Sequence, residues 1–88
     1  MEKSNKKVAM ISVSVYNRDV NYSKVNDILH NFGEFINLRV GYPMKEKNVS
    51  IIFLVVEAEN DIIGALNGKL GQIDGVLVKS HIIKMAEE

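Results

Sequence analysis

The segment VSIIFLVVEA, residues 49–58, is apolar at both alternating sets of positions. One set is Ile51, Phe53 and Val55, and the other set is Ile52, Leu54 and Val56. A strand that is apolar on both faces is covered on two sides, whereas a strand at a sheet surface alternates apolar and polar residues. The pattern therefore predicts that residues 49–58 form a central strand of a sheet.

Two strands and a helix are predicted on the N-terminal side of this segment. Residues 7–16 and 35–42 alternate between apolar and polar side chains, which indicates strands. Between them, apolar residues recur at helical spacing: Tyr22, Val25, Ile28, Leu29 and Phe32. Asp19 or Asn21 can cap this helix, and Gly33 is the predicted stop.

A second helix and a last strand are predicted on the C-terminal side. Asn60 or Asp61 can cap a helix whose apolar stripe is Ile62, Ile63, Leu66 and Leu70. Gly71 ends this helix, and a strand runs from Val76 to about Met85. The order β-α-β-β-α-β predicts an α+β, ferredoxin-like sandwich, in which a four-stranded antiparallel sheet carries two helices on one face. A single domain at 7–86 follows a flexible tail at 1–6.

The face of the sheet that lacks helices predicts an interface. This face would include one apolar set of the central strand, and we assign Ile52, Leu54 and Val56 to it, together with residues such as Met10. Exposed apolar patches of this kind usually mark interaction sites, and a chain of 88 residues has a limited core of its own. We therefore predict a homodimer or homotetramer whose sheets pack face to face or join edge to edge.

The composition excludes several classes of protein. Eleven Lys and Arg residues balance eleven Asp and Glu residues, so no net charge attracts nucleic acid or anionic lipid. Cysteine is absent, which excludes disulfides and thiolate metal sites, and His30 and His81 are too few for a metal site in one subunit. The longest apolar run, residues 51–56, is too short to span a bilayer. We predict a cytoplasmic protein without cofactor or metal and without direct contact to nucleic acid or membrane.

Asn17, Arg18 and Asp19 form the most informative polar cluster of the sequence. They lie at the first strand-helix junction, where backbone N–H groups favour small anions. Arg39 adds a charge, and the alternation places it on the face opposite Ile36, Leu38 and Val40. These four residues are the candidate ligand-binding set. The alternatives are turn and capping chemistry for residues 17–19 and a surface ion pair for Arg39.

The second helix contains a strip of small residues. Helical geometry places Gly64 and Gly68 together, opposite the apolar stripe and beside Asn67, with Lys69 next in the chain. A partner chain or ligand could approach the backbone closely there, and the alternative is a neutral or fraying helix. The segment is similar to a phosphate-binding loop, but it is one residue short and Leu70 replaces the hydroxyl residue. We therefore predict no nucleoside triphosphate site.

No constellation for nucleophilic catalysis is present in the sequence. A small phosphate hydrolase of the acylphosphatase type is the enzyme alternative, with Arg18 and Asn37 acting on the phosphate. The glycine-rich anion loop that such an enzyme needs is absent between Tyr16 and Tyr22. We therefore predict a binding module and not an enzyme.

Three stretches together resemble one family. They are VNDILHNFGE at 25–34, LRVGYP at 38–43, and NDIIGALNGKLG at 60–71, which leads into Gly75 and Val76. The sequence is similar, from about residue 7 to residue 84, to the small proteins named iron-only hydrogenase system regulators. These proteins are described as regulators of transcription in anaerobic bacteria.

The resemblance implies a βαββαβ regulatory module similar to ACT domains and to the ligand-binding half of nickel-responsive repressors. It also implies dimers or tetramers, with any small-molecule effector near a subunit interface and often against the first strand-helix loop. The histidine and cysteine ligands of nickel repressors are missing here, and no ribbon-helix-helix or helix-turn-helix precedes Lys7. A role in transcription would therefore need a partner regulatory protein. A purely structural protein–protein interaction domain is the alternative.

Overall fold

The computed structural model describes residues 5–84, which form one four-stranded sheet and two α-helices. The elements are β1 (Lys7–Tyr16), α1 (Arg18–Asn31), β2 (Ile36–Met44), β3 (Val49–Ala58), α2 (Asn60–Gly71) and β4 (Val76–Ile83). All strand pairs are antiparallel, in the order β2-β3-β1-β4. The predicted ferredoxin-like α+β fold is confirmed. Residues 1–4 of the predicted tail and residues 85 and 86 of the predicted domain lie outside the described range.

The hydrophobic core fills the space between the helices and one face of the sheet. Strand β1 contributes Ala9, Ile11, Val13 and Val15, and β3 contributes Ile52, Leu54, Val56 and Ala58. The helices contribute Val25 and Leu29 from α1 and Ile63, Leu66 and Leu70 from α2. Since these residues recur at period two in the strands and at helical spacing in the helices, the apolar pattern accounts for the packing of each element.

The assignment of Ile52, Leu54 and Val56 to the uncovered face is wrong. These residues are at most 2 % exposed, and they pair with Val13, Ile11 and Ala9 of β1 beneath the helices. The uncovered face instead carries Ile51, Phe53 and Val55, and Phe53 is 49 % exposed. Because both sets are equally apolar, β3 alone does not reveal its orientation. The register with β1 reveals it, since Ser12 and Ser14 oppose Phe53 and Ile51.

A β-bulge at the start of β2 changes the orientation of that strand. The register shifts between Ile36 and Leu38, so Ile36 opposes the buried Val56, whereas Leu38 opposes Val55 on the uncovered face. The predicted common face for Ile36, Leu38 and Val40 is therefore wrong. One extra residue in a strand reverses the alternation beyond it, and Arg39 consequently lies on the helix side of the sheet.

Asn21 joins the end of β1 to the start of β4. Its Nδ2 donates to the carbonyl oxygens of Tyr16 and Asp74, both at 2.8 Å. Asn21 is therefore a buried residue inside α1 and not its cap, and Asp19 also lies inside the helix. Gly75 follows Asp74 with a φ of +84°, and its backbone lies close to the Asn21 side chain.

The Gly75→Ala variant is expected to lower the free energy of unfolding by about 1–3 kcal/mol. A Cβ at this position would lie 3.0 Å from Asn21 Nδ2, on a backbone with positive φ. Urea denaturation measures the loss. Gly68→Ala is the matched control, because a Cβ there meets nothing within 4 Å and alanine favours the helix. Equal stability of Gly75→Ala and the wild-type protein would contradict the strain at Gly75.

Candidate functional site

The start of α1 is closed by Asn48, which lies in the β2–β3 connection. Asn17 has a φ of 54° and Asn48 a φ of 56°, both left-handed. The Arg18 N–H donates to the Asn48 carbonyl at 2.9 Å, and the Asp19 N–H donates to Asn48 Oδ1 at 3.1 Å. The next two N–H groups donate to the Asn17 carbonyl. The backbone donors on which the predicted anion site relied are therefore already bonded.

The side chains of Asn17 and Asp19 also contact Asn48. Asn48 Nδ2 donates to Asp19 Oδ1 at 2.9 Å and to Asn17 Oδ1 at 3.3 Å. These bonds fix the β2–β3 connection against the first turn of α1. Of the three predicted residues at this junction, Asn17 and Asp19 thus make turn and capping contacts. The side chain of Arg18 does not contact Asn48, and its guanidinium group lies over the ring of Tyr22.

Arg18 and Arg39 meet at the side chain of Tyr22. The Arg18 guanidinium carbon lies 5.0 Å from the centre of the Tyr22 ring, within the range of cation–π attraction. Arg39 Nη2 donates to Tyr22 Oη at 3.3 Å and to Asn26 Oδ1 at 2.5 Å. We call Arg18, Tyr22, Asn26 and Arg39 the arginine–tyrosine cluster. The bulge in β2 places Arg39 on the helix side, and Arg18, Tyr22 and Asn26 follow one another every four residues along α1.

The arginine–tyrosine cluster has two positive charges, and neither is paired with a carboxylate of residues 5–84. The hydrogen bonds that Arg39 makes go to uncharged groups, and Arg18 Nε is buried without a hydrogen-bond partner among residues 5–84. Guanidinium groups bind carboxylates and phosphates through two parallel hydrogen bonds. The cluster can therefore hold a small anion.

The sequence predicted Arg18 and Arg39 as ligand-binding residues, and the structure brings these two together. It does not bring Asn17 and Asp19 into the same cluster. Sequence reasoning missed Tyr22, which was assigned to the apolar stripe, and it also missed Asn26 and Asn48. The spacing of four residues from Arg18 through Tyr22 to Asn26 was the available signal for one row on the helix. No local signal pointed to Asn48.

The glycine strip of α2 lies open on the surface. Gly64 and Gly68 are exposed, and a Cβ at either position would meet nothing within 4 Å. Asn67 is half-buried, and its Oδ1 has no hydrogen-bond partner among the described residues. Lys69 lines a shallow depression between the helices with Ile28 and Phe32. Close approach of a partner to this strip stays a prediction.

The uncovered side of the sheet, which we call the open face, is largely apolar. Its side chains are Val8, Met10, Ser12, Ser14 and Tyr16 of β1, Leu38, Val40, Tyr42 and Met44 of β2, Val49, Ile51, Phe53, Val55 and Glu57 of β3, and Leu77, Lys79, His81 and Ile83 of β4. Among residues 5–84, nine large apolar side chains are exposed, and seven belong to the open face: Met10, Tyr16, Leu38, Val40, Tyr42, Phe53 and Leu77. A groove of about 370 Å³ crosses this face between Met10, Phe53 and His81. The exposed apolar surface is thus concentrated and not scattered.

The structure separates the residues of the phosphate hydrolase alternative. Arg18 follows β1 at the end of the sheet where Tyr16 opposes Val49, whereas Asn37 donates to Glu57 Oε1 at 3.2 Å near the other end. Strand geometry puts about 20 Å between these two ends. Arg18 and Asn37 therefore do not face one phosphate group.

Residues 5–84 contain neither a cluster of metal ligands nor a helix that could span a membrane. In this part of the chain, no three His, Asp or Glu side chains converge in a way that could hold a metal ion. Neither of its helices is long and apolar enough to cross a membrane.

Comparisons with known proteins agree with this architecture. Residues 7–80 match the model of the TM1266-like family, described as "Iron-only hydrogenase system regulator, putative". A solved structure, that of the uncharacterized protein TM1266 from Thermotoga maritima, superposes with a TM-score of 0.86 at 53 % sequence identity. The match covers 90 % of this chain and 99 % of that chain. No curated protein matches. The chain belongs to the TM1266-like family of iron-only hydrogenase system regulators.

Proposed function

We propose that the chain is a cytoplasmic regulatory module, similar to ACT domains, that senses a small molecule as a homo-oligomer and catalyses no reaction. The observation that carries the proposal is the arginine–tyrosine cluster. Two guanidinium groups meet there at one tyrosine without a carboxylate partner among residues 5–84. The cluster lies at the surface of a domain whose family is described as regulatory.

The effector that fits this cluster is a small molecule with an anionic group. Arg18 and Arg39 supply charge and paired donors, and the Tyr22 hydroxyl adds a group that both donates and accepts. Asn26 holds Arg39 at 2.5 Å and so reduces the rotamer freedom that binding would otherwise remove. The anion would thus meet donors that are already positioned.

The output of such a module would pass through a partner regulatory protein. Among the described helices, α1 carries Arg18 and Lys24 and α2 carries Lys69, so neither has the basic face of a DNA-reading helix. Net charge gives no sequence-independent attraction to DNA either. The description of the family as regulators fits a module that changes its contacts with another protein when the effector binds.

The Arg39→Gln variant is expected to lose the stabilisation that a bound anion gives. We expect citrate or inorganic phosphate to raise the melting temperature of the wild-type protein, because a ligand that binds only the folded state stabilises it by about 2.7 kcal/mol at a hundredfold excess over Kd. Differential scanning fluorimetry measures the shift for each anion. Lys24→Gln, which removes an exposed charge from α1, is the control and should keep the shift. Equal shifts in both variants would contradict an anion site at the cluster.

A purely structural interaction domain is the second candidate, and the open face favours it. Its apolar side chains offer a docking surface that needs no effector. In that case Arg18→Ala and Lys69→Ala would leave every binding property of the protein unchanged.

A further inference from the structure

We infer that the open face is covered by a second copy of the chain, stacked about a two-fold axis that runs parallel to the strands. In this arrangement β3 of each copy lies over β1 of the other, and β2 lies over β4. The inference rests on the proposed homo-oligomer and names its contact surface, its orientation and its residues.

The open face is large enough to supply most of the area that each partner buries in a standard dimer interface. Four strands at about 4.8 Å spacing make a sheet about 19 Å wide, and the eight residues of β4 extend it over about 26 Å. The flat area of such a face is about 500 Å², to which protruding side chains add, and each partner buries about 800 Å² in a standard interface.

Charge and polarity are distributed on the open face as in protein interfaces, with an apolar centre and a polar rim. The middle of the central strands β3 and β1 presents Ile51, Phe53, Val55 and Met10 with two serines, and the charged Glu57 lies near the end of β3. The cationic Lys79 lies on the edge strand β4, where a long side chain can reach solvent while its stem is covered. His81 lies on the same edge.

The two halves of the open face differ in height near the middle of the sheet, where Ser12 and Ser14 of β1 lie beside Phe53 and Ile51 of β3. The half formed by β2 and β3 is raised by bulky side chains: Leu38, Val40, Tyr42, Ile51, Phe53 and Val55. The half formed by β1 and β4 also carries large exposed side chains at Met10, Tyr16 and Leu77, but its middle is low at Ser12 and Ser14, and the groove of about 370 Å³ reaches Ser12. A two-fold axis along the strands puts Phe53 of each copy over Ser12 of the other. A two-fold axis across the strands would instead set bulky half against bulky half.

The edges of the sheet are poor alternatives for pairing with a second copy. Strand β2, at one edge, contains the bulge at Asn37 and also Pro43, which has no N–H to donate. Strand β4, at the other edge, carries Lys79 and His81. Bulges, proline and lysine are the usual features that prevent an edge strand from pairing with another chain.

Tyr42 and Leu77 report the orientation of the two copies. Both side chains are more than half exposed. They lie at opposite ends of one row of paired residues across the four strands, which is Tyr42, Ile51, Ser14 and Leu77. Within one chain three strand spacings, about 14 Å, separate them. In the inferred dimer, Tyr42 of one copy faces Leu77 of the other across the sheet spacing of about 10 Å.

Thiol cross-linking tests this arrangement, since the chain has no cysteine of its own. Tyr42→Cys and Leu77→Cys chains with different tags are co-expressed and treated with a short bis-maleimide. We expect cross-linked heterodimers from the pair and none from either variant alone. Cross-linked homodimers of Tyr42→Cys would overturn the axis along the strands. An oligomer without any cross-link would overturn this orientation of the two copies while leaving the homo-oligomer intact, and a monomer would overturn both.

Phe53→Glu gives an independent measurement. A charge at the centre of the open face should weaken association roughly 30-fold or more, as loss of a central aromatic residue does in other interfaces. Val20→Glu, at an exposed apolar residue of α1 away from this face, is the matched control. Analytical ultracentrifugation measures association, and circular dichroism shows that both variants fold. Equal association of the two variants would overturn the inference.

Discussion

The Leu54→Ala variant is expected to lower the free energy of unfolding by about 3 kcal/mol, whereas Phe53→Ala, one residue earlier, should lower it by less than about 1 kcal/mol. Leu54 is 2 % exposed and packs under the helices, so its truncation leaves a cavity in the core. Phe53 projects from the open face, where truncation leaves no cavity. Urea denaturation measures both losses, at a protein concentration below the dissociation constant of any oligomer.

This pair of variants tests the orientation of β3 directly. The low concentration separates the stability of the fold from the stability that association adds. Equal losses would show that the two faces of β3 are both covered within one chain. A larger loss for Phe53→Ala would mean that β3 is turned over, with its other set of side chains beneath the helices.

The Asn21→Leu variant is expected to lower the free energy of unfolding by about 3 kcal/mol. Asn21 is 4 % exposed, and its Nδ2 bonds the carbonyl groups of Tyr16 and Asp74. Leucine has a similar size but no donor, so both carbonyl groups would lose this partner in a buried place. Urea denaturation measures the loss, and hydrogen exchange should become faster at the Tyr16 amide, which donates to the Gly75 carbonyl.

The control for this variant is Asn26→Leu, one turn and a half further along α1. Asn26 is exposed, and its bond to Arg39 is made at the surface. Its replacement should change the free energy of unfolding by less than about 1 kcal/mol. Equal losses from the two variants would show that the bonds of Asn21 are not what ties β1 to β4.

Much of the fold followed from the sequence because each element has its own periodicity. The boundaries of β1 and β3 agree with the alternation at 7–16 and 49–58. The orientation of β3 did not follow, because Ile51, Phe53 and Val55 are as apolar as Ile52, Leu54 and Val56. The bulge at Asn37 was equally hidden, since inserting one residue leaves the composition of β2 unchanged while reversing its alternation.

The candidate site was predicted only in part. Arg18 and Arg39 were named for separate reasons, one at a helix start and one on a strand, and only the packing of α1 against β2 shows that they meet at Tyr22. The role of Asn48 could not be predicted from the sequence, because its hydrogen bond to Asn17 joins residues that are 31 positions apart in the chain. Contacts between distant segments depend on topology and register, and local patterns do not reveal them.

Native mass spectrometry of the purified wild-type protein at micromolar concentration tests the central claim most directly. It reports the number of subunits and the mass of any retained small molecule in one spectrum. We predict a dimer or a tetramer, because the open face exposes seven large apolar side chains on one side of the sheet. A monomer under these conditions would contradict the account of the open face as the surface on which the protein assembles.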